Sequence, residues 1–274
     1  MINISGKDTG ITYVDKKGKR VDGRAVDELR LIKITAGGLD NAAGSCYLEW
    51  GQNKTIVGVM GPSEAMPKHI ANPLKSVVHF QYRMAGFSVT EHKNPRPGRR
   101  EVEISKVIGE ALENSILIEK YPNTMINIFG EIFDSNAGTR IAALTAASVA
   151  VAEAGIPMRD MISGCAIGKA GGHLIADLNK TEEDAPDAVD MAFACLPTLR
   201  EVVLLQMDGI LTLDEFKELI KKGFNACDKV HALQKQALIT KYSDGAEKDE
   251  PKKVSKKKKV EVVEEEINEG EDNE

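Results

Sequence analysis

Aromatic residues are scarce in this chain, at 5% of 274 residues with a single tryptophan, and the four cysteines are scattered. Cys46, Cys165, Cys195 and Cys227 never take a Cys-x-x-Cys spacing, which argues against a zinc site or a dense disulfide framework. They read as reduced, buried thiols of a cytosolic protein. The five histidines (His69, His79, His92, His173, His231) also lack metal-ligand spacing. No Walker A loop, Rossmann fingerprint, H-E-x-x-H motif or G-x-S-x-G elbow is present. The first eight residues lack the apolar core of a signal peptide. The longest apolar-rich run, 141–152, is interrupted by Thr145 and Ser148 and is too short to cross a bilayer. The expectation is a soluble, cytoplasmic protein with no membrane partner. A general basic field is missing too. Residues 243–274 hold 12 acids and 7 lysines, so the formal charge of −6 belongs mostly to this tail, and residues 1–242 carry 29 basic against 30 acidic groups. Any nucleic-acid site must therefore be local.

What is present reads as one globular body. Residues 1–19 are polar and read as an N-terminal extension, 20–242 as the folded domain, and 243–274 as a disordered charged tail. Cys46–Trp50 and Lys54–Met60 flank Gly51-Gln52-Asn53, a hairpin signature. His79–Met84 reads as a strand. A helix is expected over Glu101–Glu119, a strand over Thr124–Phe133, and an alanine-rich helix over Gly138–Ala154. A second hairpin is expected over Ile162–Lys169 and His173–Leu178, then a strand pair over Met191–Leu196 and Glu201–Met207. A long helix over Asp214–Tyr242 closes the body. This mixture of hairpins and helices indicates an α+β fold with mixed sheets packed against helices.

Four clusters carry chemistry. Asp134-Ser135-Asn136-Ala137-Gly138-Thr139-Arg140 follows a strand and opens a helix. The free N–H groups of a helix start, a glycine, a hydroxyl and a guanidinium would suit one phosphate group, although a Gly-Thr helix start can also be a simple cap. The run from His92 to Arg100 contains Lys93, Arg96, Arg99 and Arg100 and no acid; it reads either as a solvated loop or as a phosphodiester clamp. Lys68-His69 is either surface decoration or a backbone contact. The fourth cluster packs six carboxylates, Asp177, Glu182, Glu183, Asp184, Asp187 and Asp190, into fourteen residues. It is a solvated acidic loop, or it holds a proton or a metal. A straight strand would separate Asp184 from Asp190 by about 20 Å, so sharing a site requires a bend, for which Pro186 is the candidate.

Several motifs resemble the ribonuclease PH family, nearest to the catalytic subunits of archaeal exosome complexes. They are Arg20-Val21-Asp22-Gly23-Arg24 with Asp27-Glu28-Leu29-Arg30, Phe87-Ser88, Arg99-Arg100-Glu101, Glu103-Ile104-Ser105-Lys106, Ala137-Gly138-Thr139-Arg140, Ala154–Asp160, Asp177-Leu178-Asn179 and Gln206-Met207-Asp208-Gly209. The resemblance runs from about Arg20 to Tyr242. It implies a ribonuclease PH-type fold and a hexameric ring in which catalytic subunits alternate with inactive relatives, capped by RNA-binding subunits. It also implies 3′-to-5′ phosphorolysis of RNA to nucleoside diphosphates, with inorganic phosphate as co-substrate, and reverse RNA tailing. Carried over by position, Arg100, Gly138, Thr139 and Arg140 bind phosphate, and Arg99, Arg96, Lys68 and His69 contact RNA. Asp184 is the general acid, and Asp190 is the second acid, linked to a metal, Mg²⁺, or to active-site organisation. Lys68 departs from the arginine more usual at its position. Crowding by Glu183, Asp187 and Asp190 is expected to raise the Asp184 pKa, while Glu182 and Glu183 look peripheral. Two other readings remain: a non-catalytic ring or RNA-binding scaffold, and a metal-dependent hydrolytic exoribonuclease.

Overall fold

The structure, a computed structural model, describes residues 12–91, 93–94 and 96–246. His92, Pro95, the first eleven residues and the tail from 247 lie outside the described residues.

Alternating apolar and polar residues build two sheets. The first joins β1 (Ile32–Ala36), β2 (Gly44–Trp50), β3 (Asn53–Glu64), β4 (Val77–Met84) and β5 (Thr124–Asp134) in the order β1-β2-β3-β5-β4. Its pairings are antiparallel except β4 with β5, so the sheet is mixed. The second sheet is antiparallel and joins β6 (Ser163–Ala170), β7 (His173–Ala176), β8 (Val189–Leu196) and β9 (Glu201–Asp208) in the order β7-β6-β8-β9. The expected α+β class and all three expected strand pairings are present.

Between the sheets lies α2 (Thr139–Glu153), which touches β2, β3 and β5 on one side and β6 and β8 on the other. Nearly every residue from Thr139 to Val151 is buried, as its alanine-rich, all-round apolar sequence requires. The small side chains allow close approach: a Cβ on Gly44 of β2 would sit 2.3 Å from the Ala150 carbonyl oxygen. Helix α1 (Arg99–Ser115) covers β4, and α4 (Leu213–Ala246) packs on β6, β7, β8 and β1. Along β8 the faces alternate. Ala192, Ala194 and Leu196 join the core around α2, whereas Met191, Phe193 and Cys195 join a second core under α4.

Some sequence expectations need correction. Helix α1 ends at Ser115 rather than Glu119, because Ile116 turns extended and bridges Met158, and Ile118 is drawn into the core. The expected N-terminal extension is not wholly a polar appendage. Tyr13 and Val14 are buried against Ala170, Ile175 and Leu178, and Val14 bridges Arg20. Of the expected disordered tail, residues 243–246 continue α4, and the rest lies outside the described residues. All four cysteines are buried and free. Among the described residues no helix is long and apolar enough to cross a membrane.

Candidate active site

The two sheets meet at the start of α2. Ala137 and Gly138 both adopt left-handed backbone, φ 52° and 68°, which turns the chain sharply from β5 into the helix. Asn53 holds this turn from one side: its Nδ2 donates to the Ala137 carbonyl (2.7 Å) and its Oδ1 accepts from the Asn136 N–H (2.5 Å). Arg30 holds the other side, donating to the Asn136 carbonyl at 2.5 Å. A Cβ on Gly138 would lie 3.4 Å from the Ala166 Cβ, so the turn rests directly on β6. The Tyr82 hydroxyl donates to Thr139 Oγ1 at 2.8 Å, which leaves the threonine's own O–H free to donate elsewhere.

A cavity of about 900 Å³ opens beside this turn, lined by Gly138, Thr139, Arg100, Lys180, Glu183 and the segment from Phe87 to Glu91. Arg100 lies in the first turn of α1, whose N-cap is Gly98; the Glu101 carboxylate folds back to accept the Gly98 N–H at 2.8 Å.

The six crowded carboxylates separate into two groups. Three are structural. Asp177 is buried and accepts from Arg30 (2.7 Å), Arg24 (3.3 Å) and the Trp50 indole (3.0 Å). Glu182 is buried in a two-armed pair with Arg20, whose Nε lies 2.7 Å from Oε1. Asp187 accepts the Gly171 and Gly172 backbone N–H groups at 2.9 and 2.7 Å, closing the β6–β7 turn. Of the other three, Glu183 lines the cavity, Asp184 follows it at the end of the short helix, and Asp190 lies on β8. A one-turn helix, α3 (Lys180–Glu183), sorts them. Its N-cap Asn179 and Glu182 form a capping box that turns Glu182 inward, and the next residue, Glu183, faces the cavity. Asp184 is exposed and pairs with Lys180 at 2.6 Å. Ala188 N–H then bonds the Ala185 carbonyl (2.9 Å), a tight turn around Pro186 that leads into β8. The expected bend is therefore present.

Asp190 lies opposite Gly168 on β6 and Asp208 on β9. It shares a sheet face with Ala166, the residue beneath Gly138, because residues two apart on a strand point the same way. Burial first, then the Glu183 charge, pushes the Asp190 carboxyl up to about 6, against the pull of Arg140 and Arg100; Asp208 adds to the rise. Glu183, expected to be peripheral, lines the cavity and acts on Asp190, whose rise comes chiefly from burial.

Arg140 is reached differently from the sequence expectation. Its NH1 bonds Gln206 Oε1, its NH2 lies 3.4 Å from Glu103, and Gln206 also donates to Glu103 at 2.7 Å. The Arg140 fork is thus held by a neutral and an acidic partner, and its buried Nε is without one. Neither Glu103 nor Gln206 was singled out from the sequence as a site residue, although both lie in the motifs that carry the family resemblance. Arg99 and Arg96 are exposed near the cavity's α1 side. Lys68 and His69 are exposed beyond the far end of β3, with Lys68 3.1 Å from Glu64. Glu64 pairs with Thr124 and Lys54 with Asp134, so the length of β5, about 30 Å, separates them from the phosphate-shaped turn. The structure does not bring that pair into the cavity.

Comparison with known proteins identifies the family. Residues 28–157 match the first domain of the 3′ exoribonuclease family and residues 160–226 the second. The chain is 49% identical over 239 residues to the exosome complex component Rrp41 of Nitrosopumilus maritimus, covering 87% of this chain and 98% of that one. It is 50% identical over 239 residues to the Rrp41 of Thermoplasma volcanium, covering 87% and 96%. The fold is similar to that of rice Rrp46 (TM-score 0.72, 22% identity, covering 80% of this chain and 99% of that one). It is also similar to a chain of the Archaeoglobus fulgidus exosome with RNA bound to the active site (TM-score 0.65, 19% identity, covering 78% and 92%). The first matched domain supplies the turn at Gly138 and the second supplies Glu183, Asp184 and Asp190, and on this two-domain match the chain belongs to the 3′ exoribonuclease family, that of ribonuclease PH.

Proposed function

We propose that this chain is the catalytic subunit of an archaeal exosome-type complex and shortens RNA from its 3′ end by phosphorolysis. The observation that carries the reading is the pairing of an anion-shaped helix start with a buried carboxylate of raised pKa, Asp190, across one sheet junction. Inorganic phosphate and an RNA phosphodiester are both anions, so bringing them together requires fixed positive groups. The free N–H groups at the start of α2, the Thr139 hydroxyl and Arg100 supply them, and Arg140 adds charge from behind. A phosphate oxygen attacks the last phosphodiester phosphorus. The bond to the ribose 3′-oxygen breaks, that oxygen takes a proton, and a nucleoside diphosphate leaves. Asp184 is the assigned proton donor, and Asp190 is the second acid. The reverse reaction extends RNA from nucleoside diphosphates.

Mg²⁺ is bound elsewhere by one or two carboxylates together with substrate phosphate oxygens. Asp190 with Glu183 offers that donor set, and no cluster of three or more protein ligands exists among the described residues. When bound, the ion would offset phosphate and carboxylate charge. Arg99, Arg96, Lys68 and His69 would contact the RNA backbone away from the reacting phosphorus. The working assembly would be a cytoplasmic hexameric ring of this chain alternating with an inactive relative and carrying RNA-binding cap subunits. Residues 20–242 would form the catalytic domain, with 1–19 and 243–274 as appendages.

The test is chromatography of products from 3′-labelled RNA, with the reconstituted complex, with and without phosphate. Diphosphates appearing only with phosphate are expected, together with a 10²- to 10⁴-fold loss in Asp184→Asn. Nucleoside monophosphates released in phosphate-free buffer would replace phosphorolysis with hydrolysis.

A further inference from the structure

Phe87 is 77% exposed, and among the described residues it is the single aromatic one lining the 900 Å³ cavity. It does not hang on a loose loop. The Ser88 N–H bonds the Ala85 carbonyl at 3.0 Å, closing a tight turn that presents Phe87 at its tip. The Ala85 N–H bonds Ile132 of β5 (2.9 Å) and the Lys93 N–H bonds Gly86 (3.1 Å), so both sides of the turn are tied down. Next to it, Ser88 is buried with an unpartnered hydroxyl. A fixed, solvated phenyl ring faces the cavity that also presents Gly138, Thr139 and Arg100.

We propose that Phe87 is the stacking platform for an RNA base next to the reacting linkage. The inference rests on the reading of the cavity as the RNA 3′-end site. A nucleotide whose phosphate sits at the α2 turn must place its base within the same cavity. Of the two side-chain amides lining the cavity, Asn136 Nδ2 donates to Gln52 Oε1 at 2.5 Å and Asn136 Oδ1 accepts from the Lys180 N–H at 3.1 Å, so each already spends part of its hydrogen-bonding capacity within the protein. Phe87 offers an aromatic face, and every base has a face to set against it, so the grip is independent of sequence. Phe87 makes a small contribution to the core, so its removal should leave the fold intact.

The experiment uses the reconstituted complex with Phe87→Ala, Phe87→Leu and Phe87→Trp. Rates of diphosphate release, the KM for phosphate, and affinity for oligoadenylate and oligouridylate without phosphate are measured, with ring assembly followed by size-exclusion chromatography. Stacking predicts a 5- to 150-fold drop in kcat/KM for RNA in Phe87→Ala, larger for oligoadenylate, with the phosphate KM unchanged. Phe87→Trp should recover activity and Phe87→Leu should not. Unchanged RNA affinity in Phe87→Ala overturns the proposal. A loss that follows ring dissociation also overturns it and makes Phe87 an interface residue. Equal rescue by leucine and tryptophan reduces it to a spacer. The affinity arm needs no turnover, so it tests Phe87 even if the wild-type complex proves not to be phosphorolytic.

Discussion

Asp190 combines poor solvation with like-charged neighbours, and this has a thermodynamic sign. Its folded pKa of about 6 lies above the ordinary 3.8, so the folded state holds the proton more tightly than the unfolded chain. The favourable contribution is complete below about pH 4 and is lost as pH rises through 6. Asp190→Asn should therefore be more stable than the parent at pH 8, by up to about 3 kcal/mol. The advantage should shrink by about 1–2 kcal/mol at pH 5, while activity falls. Urea denaturation of both proteins at the two pH values measures this, and a pH-independent difference would refute it. Such a residue lowers stability where the chemistry gains from it. At this scale the sequence was only partly legible. Six acids within fourteen residues were visible, but their roles depend on where a single helical turn begins. With Asn179 as N-cap, Glu182 points inward to Arg20 and Glu183 points into the cavity. One residue of register exchanges a structural acid for a functional one.

Helix α3 is the element on which this register depends. Four residues cannot hold a helix by themselves. The buried Arg20–Glu182 pair anchors it, with Arg20 also donating to the Ala176 and Asp177 carbonyls at 2.8 Å each. Arg20→Met should leave Glu182 buried without its partner, at a cost of about 3–5 kcal/mol. The double change Arg20→Met with Glu182→Leu should recover much of that stability but not activity, because Glu183 and Asp184 lose their placement. Thermal melting together with diphosphate release separates the two effects, and recovery of both would show that the pair has no positioning role. Longer elements were easier to read. The Gly51-Gln52-Asn53 hairpin, the alanine-rich α2 and the strand pair around Pro197 announce themselves by turn residues and periodicity. Strand β1 went unread because five residues, Ile32-Lys33-Ile34-Thr35-Ala36, carry little pattern of their own and gain strand structure by pairing with β2. The end of α1 was overread because Ile116 and Ile118 continue an apolar rhythm that serves the core without being helical.

At the scale of the molecule, the chain exposes apolar side chains on its edges, including Leu205 and Met207 on the edge strand β9 and Ile210 and Leu213 beyond it. Exposed edges and apolar residues of this kind are met by partners in assemblies. The isolated chain is accordingly expected to be nearly inactive and to gain activity on mixing with a ring partner, measured as diphosphate release against the size of the eluting species. Full turnover by a monomer would contradict a ring-dependent site. The general architecture was legible because two sheets with interleaved helices follow from hairpin spacing; the junction between the sheets was not, since it is made by contacts between residues far apart in sequence. Arg30 is the clearest of these, with one guanidinium touching the phosphate-shaped turn through Asn136 and the root of the acidic segment through Asp177. That single clasp works like a fixed jaw gap. It ties the two halves of the site at one spacing, so each new 3′ end is brought to the same pair of groups by the advance of the RNA strand.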